Sequence, residues 1–109
     1  MIPADVYREF VSRGTEWADK HGAAELLEGS LKSLKAQLTL EAKKDESCSM
    51  AEATEIALST STYRDAMQGA VQARAEANKA RVRYDATKAL FEAQRTAEAS
   101  ERAAMRAAT

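Results

Sequence analysis

The sequence predicts an all-α protein folded as a long antiparallel helical hairpin, in which two long helices flank one short helix. Twenty-four of the 109 residues are alanine and 30% are charged, whereas there are one proline, four glycines and 6% aromatic residues. Such a composition is typical of long helices and does not fit an all-β or α/β domain. Apolar residues also recur at a seven-residue step in both halves of the chain, which indicates coiled-coil-like packing.

The first helix is expected at about residues 3–43. Pro3 suits a first helical turn, and Asp5 places a negative charge where the helix dipole favours it. Glycines inside this segment each lower helix stability by about 1 kcal/mol relative to alanine, so a weak point is expected near residues 19–23. The apolar side chains recur at steps of seven and three residues and form a predicted seam: Phe10, Trp17, Ala24, Leu27, Leu31, Leu34 and Leu38.

A polar run at residues 44–49 ends the first helix and precedes a short helix at about residues 50–58. Ser49 and Glu52 have the spacing of a capping box at the start of this short helix. Thr62 and Asp65 have the same spacing at the start of the last helix, which is expected at about residues 62–104. The seam of the last helix has the same seven-residue step: Tyr63, Ala66, Ala70, Ala73, Ala77, Ala80, Tyr84, Thr87 and Phe91.

The small side chains of this last seam suit the bulkier seam of the first helix, but they bury little apolar area. We see no internal repeat or linker, and we expect one helical domain over residues 1–109. Because its core is thin, the chain is expected to form a homo-oligomer.

No run approaches the roughly 18 apolar residues that a membrane span needs, and the N-terminus lacks the pattern of a signal peptide. The sequence therefore predicts a cytoplasmic protein with no membrane partner.

Residues that carry catalysis or hold metals are sparse. The chain contains one cysteine, Cys48, and one histidine, His21, which cannot form a Cys/His metal cluster. His21 has no nucleophile at a defined spacing, and there is no Gly-rich phosphate loop, paired-carboxylate motif or HExxH motif. We expect no enzyme, no catalytic residue, no metal and no cofactor, and the roles of Cys48 and His21 stay open.

Charge is distributed unevenly along the chain. Residues 1–61 carry seven basic and eleven acidic side chains, whereas residues 62–109 carry nine basic and six acidic ones. Five basic residues of the last helix repeat at a strict seven-residue step and form a stripe along one edge, with two more beside its middle. The stripe is Arg74, Arg81, Lys88, Arg95 and Arg102, and the two neighbours are Lys79 and Arg83.

The stripe has two interpretations. Basic residues that flank a helical seam ordinarily pair with acidic residues of the facing helix, where Glu16, Asp19, Glu25, Glu28 and Glu41 are available. Alternatively, the stripe binds the phosphates of a nucleic acid, and binding then weakens as salt is added. The stripe has no interleaved aromatic residues apart from Tyr84 and Phe91 on the seam, so sequence-specific recognition is not expected.

The order of these elements resembles the UvsY-type recombination mediators of tailed phages. The residues that carry the resemblance are the run Glu16-Trp17-Ala18-Asp19-Lys20-His21, the leucine stripe Leu27, Leu31, Leu34 and Leu38, and the basic run Arg81-Val82-Arg83-Tyr84. The resemblance implies a ring-like oligomer that binds single-stranded DNA and helps to load a recombinase onto strands covered by a single-strand-binding protein. The present chain is shorter and less basic than the members of that family.

Two other classes of function stay open. One is a structural or adaptor coiled-coil protein that docks a protein partner without nucleic acid. The other is an inhibitor of a host enzyme, which no feature of the sequence excludes.

Overall fold

The computed structural model describes residues 3–45 and 47–108, and these form three helices. Helix α1 spans Ala4–Asp45, helix α2 spans Met50–Leu58 and helix α3 spans Ser61–Ala108. The predicted all-α class and the long antiparallel hairpin are confirmed. Helix α1 runs without interruption through residues 19–23, where we expected a weak point, and α3 ends four residues beyond its expected end.

Side-chain caps define where α2 and α3 begin. The Ser49 hydroxyl accepts a hydrogen bond from the backbone N–H of Glu52 at 3.2 Å and donates one to the Glu52 carboxylate at 3.2 Å. The capping residue of α3 is Thr60, whose hydroxyl oxygen accepts a hydrogen bond from the N–H of Tyr63 at 3.1 Å. The expected Thr62 cap is therefore wrong, because Thr62 already lies in the first turn of the helix.

The chain divides into two compact units, each of which contains part of α1 packed against part of α3. Unit I comprises the segments Met1–Asp19 and Asn78–Thr109, and unit II comprises Lys20–Ala77, including α2. In unit I, Tyr7 lies beside Phe91 while Trp17 lies beside Tyr84, so the two helices run antiparallel. These units hold different parts of the predicted site.

The core of the described residues is made of small side chains. The buried apolar residues are Ala24, Ala42, Ala53, Ala57, Ala70, Ala77 and Ala80, and no large side chain among the described residues is fully buried. Two buried threonines, Thr39 and Thr87, satisfy their hydroxyls on the carbonyl oxygens four residues earlier. Alanine lets the helices approach closely but removes little apolar area from water, so the core is thin.

Candidate nucleic-acid interface

The predicted basic stripe lies on α3, and the structure separates its members into different surroundings. Arg74 lies in unit II, whereas Arg81, Lys88, Arg95 and Arg102 lie in unit I. Seven residues of α-helix correspond to a rise of about 10.5 Å and nearly two full turns, so the four cations of unit I follow one edge of α3. We call these four residues the basic row.

Arg74 is held by carboxylate and imidazole groups of α1. Its Nε and Nη2 atoms donate to the two carboxylate oxygens of Glu28 at 3.1 and 2.6 Å, and its Nη1 lies 2.9 Å from Nδ1 of His21. The hydrogen bonds from Arg74 hold the pKa of Glu28 below its ordinary value and raise the pKa of Arg74. At this position the stripe pairs with the facing helix, as the first interpretation expects.

His21 completes this polar cluster. An arginine only donates hydrogen bonds, so the His21 Nδ1 that faces Arg74 is the acceptor and its ring proton lies on Nε2. That Nε2 atom lies 3.0 Å from a carboxylate oxygen of Glu25. His21 therefore links Arg74 to Glu25.

In unit I, Arg83 joins α3 to α1 through a similar ion pair. Its Nη2 atom donates to Glu16 at 2.8 Å, and Glu16 also accepts a hydrogen bond from Arg13 at 3.2 Å. The hydrogen bond from Arg83 is the main cause that holds the pKa of Glu16 below its ordinary value. Two of the seven predicted nucleic-acid-binding residues, Arg74 and Arg83, are thus engaged by acidic residues of α1.

The basic row is open to solvent. Arg81, Lys88, Arg95 and Arg102 are all exposed, and so is the neighbouring Lys79. Arg81 lies 3.8 Å from the carboxylate of Asp85 and its guanidinium lies over the ring of Trp17, 5.9 Å from the centroid. Within the described part of the chain, the other three members of the row have no carboxylate at ion-pair distance.

The aromatic residues of the two seams come together in unit I. Phe10 lies between Tyr84 and Phe91, with ring centroids 5.5 and 4.9 Å away. The ring of Trp17 is nearly parallel to that of Tyr84, with an angle of 9° and a centroid distance of 5.7 Å. Tyr7 joins the cluster at 6.2 Å from Phe91, although its position lies off the predicted seam. These stacked rings supply the larger side chains that the alanine core lacks.

A shallow groove runs along the aromatic cluster on the α1 side. Its volume is about 460 Å³, and it is lined by Phe10, Val11, Gly14, Thr15, Trp17, Ala18 and Tyr84. Sequence reasoning missed this groove because its floor is formed by the seam, whereas its walls are Val11, Thr15 and Ala18 on the exposed side of α1. The signal in the sequence was Gly14, which leaves room for the Tyr84 ring against α1.

The leucines of the α1 seam lie in unit II. Leu31, Leu34 and Leu38 are half-buried, as is Tyr63 at the start of α3. Leu27, by contrast, is 42% exposed, and the next residue, Glu28, faces Arg74. Leu27 therefore lies at the edge of the buried face.

No group of three or more His, Cys, Asp or Glu side chains in the described residues is arranged to hold a metal ion. Nor does any helix in the described ranges combine the length and apolar character that crossing a membrane requires. Comparison of the chain with protein-family models, curated proteins and solved structures gave no match.

Proposed function

We propose that the protein is a non-catalytic accessory protein that binds single-stranded DNA through its phosphate backbone. The basic row carries this proposal, because it presents exposed cations at a regular rise along one helix. Three of them, Lys88, Arg95 and Arg102, have no carboxylate partner among the described residues and are therefore available to a polyanion.

The charge of this part of α3 supports the same proposal. Residues 78–108 contain seven basic and four acidic side chains. A modest excess of this size gives weak binding by one chain, and copies joined in an oligomer raise the effective concentration of contacts along one strand. The proposed active form is therefore a homo-oligomer, and its action is to help load a recombinase in phage-type recombination, as the family resemblance implies.

A charge reversal within the basic row tests DNA binding. The variant K88E/R95E removes two phosphate contacts, and the logarithmic slope of its affinity against salt is expected to fall by about 1.4 for a single strand. Affinity should fall for all base sequences alike, because phosphate contacts carry no sequence information. The measurement is titration of a fluorescent single-stranded oligonucleotide at two salt concentrations.

The matched control is K32E/K35E, which makes the same change in net charge at two exposed lysines of α1 in unit II. This control should bind with nearly the affinity of the unchanged protein. If both variants remain helical and bind equally well, the basic row is not the DNA-binding surface and the proposal fails.

The second candidate is a structural or adaptor protein that docks a protein partner, and the ion pairs of Arg74 and Arg83 favour it. Both arginines already serve to join α3 to α1, as seam-flanking charges do in coiled coils. If the protein is an adaptor, no oligonucleotide should bind to it at low salt. Charge reversal in the basic row should then change the mass of the assembly or its thermal stability. The same titration, with the mass recorded in the same buffer, separates the two candidates.

A further inference from the structure

The groove of unit I adjoins one member of the basic row. The Arg81 guanidinium lies 5.9 Å from the centroid of the Trp17 ring, and Trp17 lines the groove. Lys88 follows Arg81 on the same edge of α3, about 10.5 Å farther along the helix. The structure therefore combines an apolar aromatic groove with one cation at its border and a second cation farther along the same edge of α3.

Three of the aromatic rings that line the groove stack on one another. Trp17, Tyr84 and Phe10 form a ladder with angles of 9° and 14° between successive rings. The faces of these rings are covered by neighbours, because Trp17 lies between Arg81 and Tyr84, and Tyr84 lies between Trp17 and Phe10. The rings therefore line the groove with their edges. The walls are the short side chains of Val11, Thr15 and Ala18, which leave the ring edges accessible from the solvent side.

We propose that this groove takes unpaired nucleobases of the same strand whose phosphates contact Arg81 and Lys88. Nucleobases are flat, apolar on their faces and linked to phosphates. One face of a base can therefore pack against the ring edges in the groove while the phosphates reach the cations. Bases inside a duplex are already paired and stacked, so the groove favours a single strand over a duplex. This inference rests on the proposed function, and it adds a base-binding element to a surface otherwise described by phosphate contacts.

Trp17 is the only tryptophan of the chain, so its fluorescence reports directly on the groove. The test compares an oligothymidine with an abasic oligonucleotide of equal length, which carries the same phosphates without bases. We expect the oligothymidine to quench the emission of Trp17 and to bind about fivefold more tightly than the abasic strand, which is within the range for one edge-to-face aromatic contact. A duplex of the same length should leave the Trp17 emission unchanged.

Two variants test whether the bases bind in the groove. Thr15→Glu places a carboxylate in the groove, whereas Ser12→Glu adds the same charge on the exposed surface of the same helix, outside the groove lining. Thr15→Glu should weaken binding of the oligothymidine but leave the abasic strand bound as tightly as in the Ser12→Glu control. Circular dichroism verifies that both variants remain helical.

The outcomes are distinguishable. Equal affinity for the two oligonucleotides, without quenching, overturns the nucleobase groove and leaves the phosphate-binding function standing. Absence of binding by either oligonucleotide at low salt overturns both, because the inference rests on that function. Quenching that survives Thr15→Glu also overturns the groove as the site of the bases.

Discussion

Gly14 has no side chain, and this allows the Tyr84 ring to pack closely against α1 in unit I. An added Cβ at this position would lie 3.1 Å from Cε1 of Tyr84, whereas a Cβ at Gly22 would meet no atom within 4 Å. We therefore expect Gly22→Ala to stabilise the protein by about 1 kcal/mol through helix propensity. Gly14→Ala should gain less stability, because the Tyr84 ring must shift by a few tenths of an ångström to make room for the added methyl group.

Thermal unfolding followed by circular dichroism measures both substitutions. Gly29→Ala is a second control, since its added Cβ would also meet nothing within 4 Å. Equal gains in melting temperature for Gly14→Ala and the two controls would contradict the close packing of Tyr84 against α1.

The carboxylates of Glu16 and Glu28 make the stability depend on pH. Arginine hydrogen bonds lower the pKa of each carboxyl in the folded state, so each contributes stability at pH values above the ordinary glutamate pKa of about 4.3. That contribution is lost as the pH falls through the lowered pKa, because protonation removes the charge that attracts the arginine. The melting temperature is therefore expected to fall as the pH is lowered below the ordinary glutamate pKa.

Glu28→Gln should lower the melting temperature at neutral pH and flatten its fall in acid, since glutamine cannot form the bidentate ion pair with Arg74. Glu41→Gln provides the comparison, because Glu41 is exposed and has no ion pair among the described residues. A melting temperature of Glu28→Gln that falls in acid as steeply as that of the unchanged protein would remove the ion pair as the cause.

At the scale of the helices, the seven-residue step predicted which positions of α3 are covered. Ala70, Ala77, Ala80 and Thr87 all belong to the predicted seam and are buried. This works because the period of an α-helix is fixed by its backbone, so apolar residues at that period share one face. The cap of α3 was harder to predict because Ser59, Thr60, Ser61 and Thr62 are all capping residue types, and only the structure identifies Thr60.

The spacing within α3 could not separate the paired cations from the open ones. Arg74 and Lys88 belong to the same seven-residue stripe, yet Arg74 faces Glu28 while Lys88 has no carboxylate partner in the described ranges. The difference depends on which turn of α1 lies opposite each cation. That axial register is set by contacts between the helices and does not appear in the sequence pattern of α3 alone.

The whole chain combines a thin alanine core with many exposed apolar side chains. Leu26 is 71% exposed, Val82 69% and Val71 61%. Exposed apolar residues are ordinary when scattered, but here they accompany a core that lacks a fully buried large side chain among the described residues. Burial of such side chains between copies would supply stability that the alanine core does not, which is the physical reason for the proposed homo-oligomer.

The proposed association of copies predicts that the stability depends on protein concentration. If the folded chain binds copies of itself and the unfolded chain does not, the melting temperature rises with concentration by mass action. We expect a higher melting temperature when the protein is concentrated about a hundredfold, and sedimentation equilibrium should give a multiple of the 11.9 kDa chain mass. Val82→Asp should lower that mass, because a charge at an exposed apolar position opposes contact between copies. A concentration-independent melting temperature together with a monomer mass would exclude the oligomer, and DNA binding would then have to come from the basic row of a single chain.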